Sequence, residues 1–217
     1  LLPGDEKMTK DDLIEVLAQA PIVPVLTVEA LEDAAPLALA LQKGGLKVLE
    51  VTFRTPSAPQ IIYAMKQACP ELIVGAGTVL NDRDVEAAMN AGADFLVSPG
   101  SAFELLKAVS KVDIPLIPGV ATPTEAMNCY ECGFNFLKLF PAEIVGGAKL
   151  LKAMAAPLPH LKFMPTGGVK QETAGSYLSL PNVVAVGGTW IATPDDISEG
   201  QFDVITTKAV KALSSVD

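Results

Sequence analysis

The stretch "FMPTGGVKQETAGSYLSLPNVVAVGGTW", residues 163–190, holds one full repeat of this chain and the start of another. An apolar run ends in the pair Gly167–Gly168, a mixed polar segment follows, and a second apolar run ends in Gly187–Gly188. Short apolar, β-branched runs closed by turn residues read as buried strands, and the segment between these two is long enough for a helix. The same kind of run recurs upstream: "IVPVLTV" from residue 22, "VLEVTF" from 48, "IVGAGTV" from 73, "FLVSPG" from 95, "PLIPGV" from 115 and "FLKLFP" from 136. Eight candidate strands thus start 20 to 27 residues apart. That is the spacing of β-α units, and it predicts an α/β chain folded as a (β/α)8 TIM barrel. A doubly wound open sheet is the rival architecture; the count of eight and the even spacing favour the barrel.

The connecting segments carry helix punctuation. "NDRDVEAAMNAG" offers Asn81 and Asp82 as caps and stops at Gly92; "TPTEAMNCYECG" opens with Thr122–Pro123 and stops at Gly133; Gly45 closes the segment before the second strand. "TKDDLIEVLAQA", capped by Thr9, reads as an extra helix ahead of the first strand, and Asp203 to Leu213 as the last helix. No linker or low-complexity tract interrupts residues 1–217, which predicts a single barrel domain. Met8 is a candidate natural start, with residues 1–7 a candidate expression remnant.

Half of the 217 residues are hydrophobic and 19% are charged, a balance that suits a large buried core. A net charge of −9 argues against nucleic-acid binding, which needs a basic face. No apolar run approaches a membrane span, and no signal-peptide pattern is present. Cys69, Cys129 and Cys132 form no disulfide framework, which points to a reducing cytoplasm. The C-x-x-C spacing of Cys129 and Cys132 lies in a helical stretch; with His160 as the one histidine, a zinc site lacks ligands, so these read as ordinary helix thiols.

Active groups of a barrel sit at the C-terminal ends of its strands and face inward. Lys47 and Lys162 begin their strands, at the opposite end, and read as solvated; His160 is at that end too. Lys138 lies within "FLKLFP", among apolar neighbours, where an unpaired ammonium is costly. In "VLEVTFRTP" alternation puts Val48, Glu50, Thr52 and Arg54 on one face, and Leu49, Val51 and Phe53 on the other. The wholly apolar face belongs against the helices, so Glu50 and Arg54 point inward. A structural ion pair with Lys138 is the plain alternative to catalysis. Thr78, Thr166 and Thr189 fall at strand ends. Glycine-rich turns after strands seven and eight match the place where barrels bind phosphate.

An inward-facing lysine can form a Schiff base with a ketone once its amine is neutral. Bringing a free lysine from about 10.4 to about 7 takes roughly 4.6 kcal/mol against the charged form. Apolar neighbours and the Arg54 cation push that way, while an ionised Glu50 pushes back. Glu50 is the candidate proton shuttle, Arg54 a planar fork for a carboxylate, and Thr78 a further donor. Ketone, carboxylate and phosphate together describe a 2-keto acid phosphate.

The motifs "GGLKVLEVTFRTP", "IVGAGTVLN", "FLVSPG", "PLIPGVATPTE", "FLKLFPAE", "FMPTGGV" and "VGGTWI", in this order over residues 44–191, resemble the 2-keto-3-deoxy-6-phosphogluconate (4-hydroxy-2-oxoglutarate) aldolases. The resemblance implies a class I aldolase, commonly a homotrimer, with no metal or separate cofactor. It implies a covalent Schiff base on Lys138 and proton transfer by Glu50. Arg54 and Thr78 would hold the pyruvate carboxylate, and Thr166 would lie near the reacting carbons. Gly167, Gly168, Gly187, Gly188 and Thr189 would surround the phosphate. Position 189 departs from the family's usual serine, keeping the hydroxyl and adding a methyl. Two alternatives stay open at this point: a phosphate-binding isomerase or transferase barrel without an imine, and an aldolase for the galactonate epimer.

Overall fold

Helix α1 (Lys10–Gln19) starts where its cap dictates. The Thr9 hydroxyl accepts from Asp12 N–H at 3.2 Å and Thr9 N–H donates to Asp12 Oδ2 at 2.9 Å, a reciprocal pair that satisfies two orphan backbone donors. This is the extra N-terminal helix that the sequence predicts. The computed structural model describes residues 8–216, so the expectation for residues 1–7 lies outside the described residues.

The rest alternates strand and helix. In order come β1 (Ile22–Leu26), α2 (Ala34–Lys43), β2 (Val48–Thr52), α3 (Ala58–Ala68), β3 (Ile73–Gly77) and α4 (Asp82–Asn90). Then follow β4 (Phe95–Val97), α5 (Phe103–Val109), β5 (Leu116–Ile117), β6 (Gly119–Val120), α6 (Pro123–Glu131), β7 (Phe136–Leu139) and α7 (Gly147–Ala155). The chain closes with β8 (Lys162–Phe163), α8 (Gln171–Leu178), β9 (Val186–Gly188), α9 (Pro194–Ser198) and α10 (Phe202–Ser214). Thr122 and Asn81 cap α6 and α4 as predicted, and Gly45, Gly92 and Gly133 follow α2, α4 and α6 with left-handed φ.

All strand pairs are parallel, and the sheet curls. Six strands run in the order β5-β4-β3-β2-β1-β9, and three in the order β6-β7-β8. The predicted strand over residues 115–120 emerges as two, because Pro118 sits in its middle and has no N–H to continue the ladder. Its carbonyl still accepts from Lys138 N–H at 2.8 Å. At the other side, isolated parallel bridges pair Phe163 with Val183 and Thr166 with Gly187.

Alternation sorts the core into two clusters. Leu49, Leu96 and Leu137 join the helix faces in the larger one. Val48, Phe95, Val97, Ile117, Phe136 and Met164 form the smaller one, together with Leu13 and Leu17 of α1. The extra helix therefore buries its apolar stripe against the inward-facing strand residues. Both leucines are fully buried, each contributing roughly 1.5–3 kcal/mol of apolar burial.

Candidate active site

Glu50 and Lys138 meet inside the curl of the sheet. They are 88 residues apart in sequence, yet Lys138 Nζ lies 3.2 Å from Glu50 Oε1 and 3.4 Å from Oε2. Both are buried, at 6% and 1% exposed. Their placement follows from strand alternation: Glu50 is flanked by Leu49 and Val51, which face the helices, and Lys138 by Leu137 and Leu139, which do the same. The Lys138 ammonium also stands 5.3 Å from the Phe140 ring centroid.

Room for the carboxylate comes from the next strand. A Cβ on Gly77 would stand 2.1 Å from Glu50 Oε1, so only a residue without a side chain permits this Glu50 position. Gly119, beside Lys138 in register, plays the same part for the Pro99 backbone, which a Cβ would meet at 2.3 Å.

The pair borders a cavity of about 360 Å³ at the C-terminal ends of the strands. Lys138, Glu50, Arg54, Thr78, Thr166, Gly167, Gly168, Gly188 and Thr189 all line it. The tenth predicted residue, Gly187, does not. It packs against Thr166, whose Oγ1 a Cβ at Gly187 would meet at 2.3 Å. The missing side chain leaves room for that hydroxyl.

Val25, Pro99 and Val169 also line the cavity and carried no chemical signal in the sequence. Phe140 was legible only as an apolar neighbour of Lys138.

Three features give this cavity chemical direction. Thr166 Oγ1 is buried and has no protein hydrogen-bond partner, an arrangement that a substrate hydroxyl would complete. Arg54 is exposed at the cavity wall, free to present its guanidinium to an anion. Gly167 and Gly168 both have left-handed φ, +98° and +82°, and leave a bare backbone on the wall just before α8. A backbone without side chains next to a helix N-terminus suits a phosphate.

Other polar groups lie elsewhere. Cys129 is buried, which pushes its thiol up, Cys132 is exposed, and both are free thiols of the α6 end. His160 stacks near Tyr130, with ring centroids 4.0 Å apart, and does not line the cavity. Among the described residues, no three His, Cys, Asp or Glu side chains are grouped to hold a metal. A larger groove of about 660 Å³ runs between α4 and α5, but its charged lining residues are all exposed. No helix among the described residues is long and apolar enough to cross a membrane.

Comparison with known proteins gives the same picture. Residues 13–208 match the family profile described as "Aldolase: KDPG and KHG aldolase". The chain is 44% identical to the KHG/KDPG aldolase of Escherichia coli K12 over 95% of its own length and 97% of the relative's. It superposes with a TM-score of 0.89 on the KDPG aldolase of Legionella pneumophila, solved with pyruvate captured as a covalent carbinolamine intermediate. That structure is 42% identical and covers 92% of this chain and 97% of its own. The Zymomonas mobilis 2-keto-3-deoxy-6-phosphogluconate aldolase, solved with 3-phosphoglycerate, gives a TM-score of 0.87 at 41% identity, over 95% of this chain and 97% of its own.

Proposed function

We propose a function from one premise: this chain belongs to the KDPG and KHG aldolase family. It is a class I aldolase. It cleaves 2-keto-3-deoxy-6-phosphogluconate reversibly to pyruvate and glyceraldehyde 3-phosphate, and 4-hydroxy-2-oxoglutarate to pyruvate and glyoxylate. The observation that carries the site assignment is the buried Lys138–Glu50 pair at 3.2 Å beside the cavity. A purely structural ion pair would need no cavity, no unpartnered Thr166 hydroxyl and no arginine at the wall.

The steps follow from the groups present. Arg54 and Thr78 hold the substrate carboxylate and bring the C2 ketone to Lys138. The neutral amine adds to C2, and Glu50 relays a proton to the forming hydroxyl, which leaves as water. The protonated imine then accepts the electron pair of the C3–C4 bond as Glu50, directly or through a water, takes the C4 hydroxyl proton. The aldehyde departs, leaving an enamine. Protonation at C3 and hydrolysis return pyruvate and the free lysine. Thr166 lies near the reacting carbons, and Gly167, Gly168, Gly187, Gly188 and Thr189 surround the phosphate. The catalytic group is the lysine itself, so the reaction calls for no separate cofactor.

The curled sheet is read here as a closed (β/α)8 barrel forming a single domain. Supporting this, β5 and β6 are one passage of chain around Pro118, and the Thr166–Gly187 bridge links the β8 end to β9. A homotrimer and a cytoplasmic setting complete the reading; free cysteines fit a reducing compartment, and light scattering on the purified chain tests the trimer.

Borohydride reduction in the presence of pyruvate tests the chemistry. A reduced pyruvyl adduct is expected on the Lys138 peptide by mass spectrometry, and Lys138→Met should abolish both adduct and turnover in a folded protein. Adduct on another lysine would displace the site; no adduct in folded protein would point to an imine-free reaction.

A further inference from the structure

Behind the Gly167–Gly168 turn stands a second contact, part-buried, between exposed Glu143 and buried Tyr177. The turn after β7 runs beside the turn after β8: Ala142 N–H donates to Thr166 O at 2.8 Å, and Glu143 N–H to Gly167 O at 3.0 Å. The Glu143 side chain then lies flat over Gly168, where an added Cβ would meet Glu143 Cγ at 2.7 Å and Cβ at 2.8 Å. Its carboxylate ends on Tyr177, whose hydroxyl donates to Oε1 at 2.5 Å. Tyr177 is 1% exposed and belongs to α8, the helix that the glycine turn leads into. Its oxygen also packs against the start of α7, where a Cβ added to Gly147 would meet it at 2.7 Å. Burial, and then the neighbouring carboxylate, push the Tyr177 hydroxyl above its usual range, so it stays a donor.

We infer that Glu143 and Tyr177 are positioning residues for the phosphate end of the substrate, an inference that rests on the functional reading above. Neither lines the cavity. The glycines of the turn have no side chains to hold their own conformation, and the Glu143 methylenes supply the missing cover. Tyr177 anchors that cover to two helices. It also holds a negative carboxylate away from the place where a phosphate would sit, avoiding like-charge repulsion. Lys138 is carried by the same β7 strand, five residues before Glu143, but its amine is held by Glu50 at 3.2 Å and its backbone N–H by Pro118 O at 2.8 Å, neither of which involves this contact.

The test is steady-state kinetics of Tyr177→Phe on both substrates. With 2-keto-3-deoxy-6-phosphogluconate, KM should rise about tenfold with kcat retained, the effect of losing one hydrogen bond to a charged group. With 4-hydroxy-2-oxoglutarate, which has no phosphate, kcat/KM should stay within about twofold. Glu143→Ala should reproduce the phosphate-specific defect, whereas Glu143→Gln, which keeps the methylenes and an acceptor oxygen, should restore near-normal KM. Should Tyr177→Phe fail to fold, the two Glu143 variants carry the same comparison. Equal losses on both substrates, or no loss on either, would overturn the inference while leaving the aldolase reading standing. A wild-type protein inactive on both substrates would instead bring down that reading, and this inference with it.

Discussion

At the scale of single residues, the site is built as much from absent side chains as from present ones. Gly77 admits the Glu50 carboxylate, Gly187 admits the Thr166 hydroxyl, and Gly119 admits the Pro99 backbone. Gly77→Ala is therefore a sharp test of the Glu50 assignment. The new methyl would stand 2.1 Å from Oε1, and the carboxylate must move. A misplacement of about 1 Å costs on the order of a hundredfold in rate, so kcat should fall steeply while pyruvate still binds. Glu50→Gln should slow the same proton-transfer steps. Unchanged kcat in the folded alanine variant would mean that Glu50 is not the shuttle. Lys138 and Glu50 were legible in the sequence because a charge within an apolar strand breaks the expected pattern. Pro99 and Val25 were not, because an apolar residue carries no mark of what it faces. The Glu143–Tyr177 contact was equally hidden: its partners are 34 residues apart, and Tyr177 reads as ordinary helix core.

At the scale of elements, reciprocal caps hold the helix starts. On α6, Glu125 Oε2 accepts from Ala121 N–H at 2.7 Å and Thr122 N–H at 2.9 Å. The Ala121 bond above all, helped by the Thr122 hydroxyl and N–H and opposed by burial, holds the Glu125 carboxyl below its usual 4.5. A carboxyl lowered in the folded state stabilises the fold above its unfolded pKa and loses that contribution as pH falls through the folded one. The Tm difference between wild type and Glu125→Gln should thus be steady from pH 7 to the ordinary glutamate range and shrink below 4.5. Calorimetry at pH 7 and at acid pH checks this, and a gap that ignores pH would rule out the charge as its cause. These caps were readable in advance, because Thr-Pro-x-Glu and Thr-x-x-Asp place donor and acceptor within one turn. The break of the fifth strand at Pro118 was not foreseen, although the missing N–H was visible.

At the scale of the whole molecule, α1 packs against the inner faces of the strands. Leu13 and Leu17 are fully buried in the smaller core cluster with Val23, Val48 and Phe136. Leu13→Ala should cost about 2–5 kcal/mol of stability, seen as a lower denaturant midpoint. Because the cavity lies at the other ends of the strands, the folded fraction should still form the pyruvate adduct on Lys138. Loss of adduct without loss of stability would show α1 acting on the site rather than on the core. Local pattern alone determined a good deal: strand period, helix caps, the inward face of β2, and the classes of group at the strand ends, because each depends on residues a few positions apart. Only the tertiary structure decided that Glu50 meets Lys138, that Gly187 leaves room for the Thr166 hydroxyl, and that Tyr177 meets Glu143 behind the Gly167–Gly168 turn. Those contacts join separate β-α units, and their geometry depends on how the sheet curls, which no short window of sequence contains.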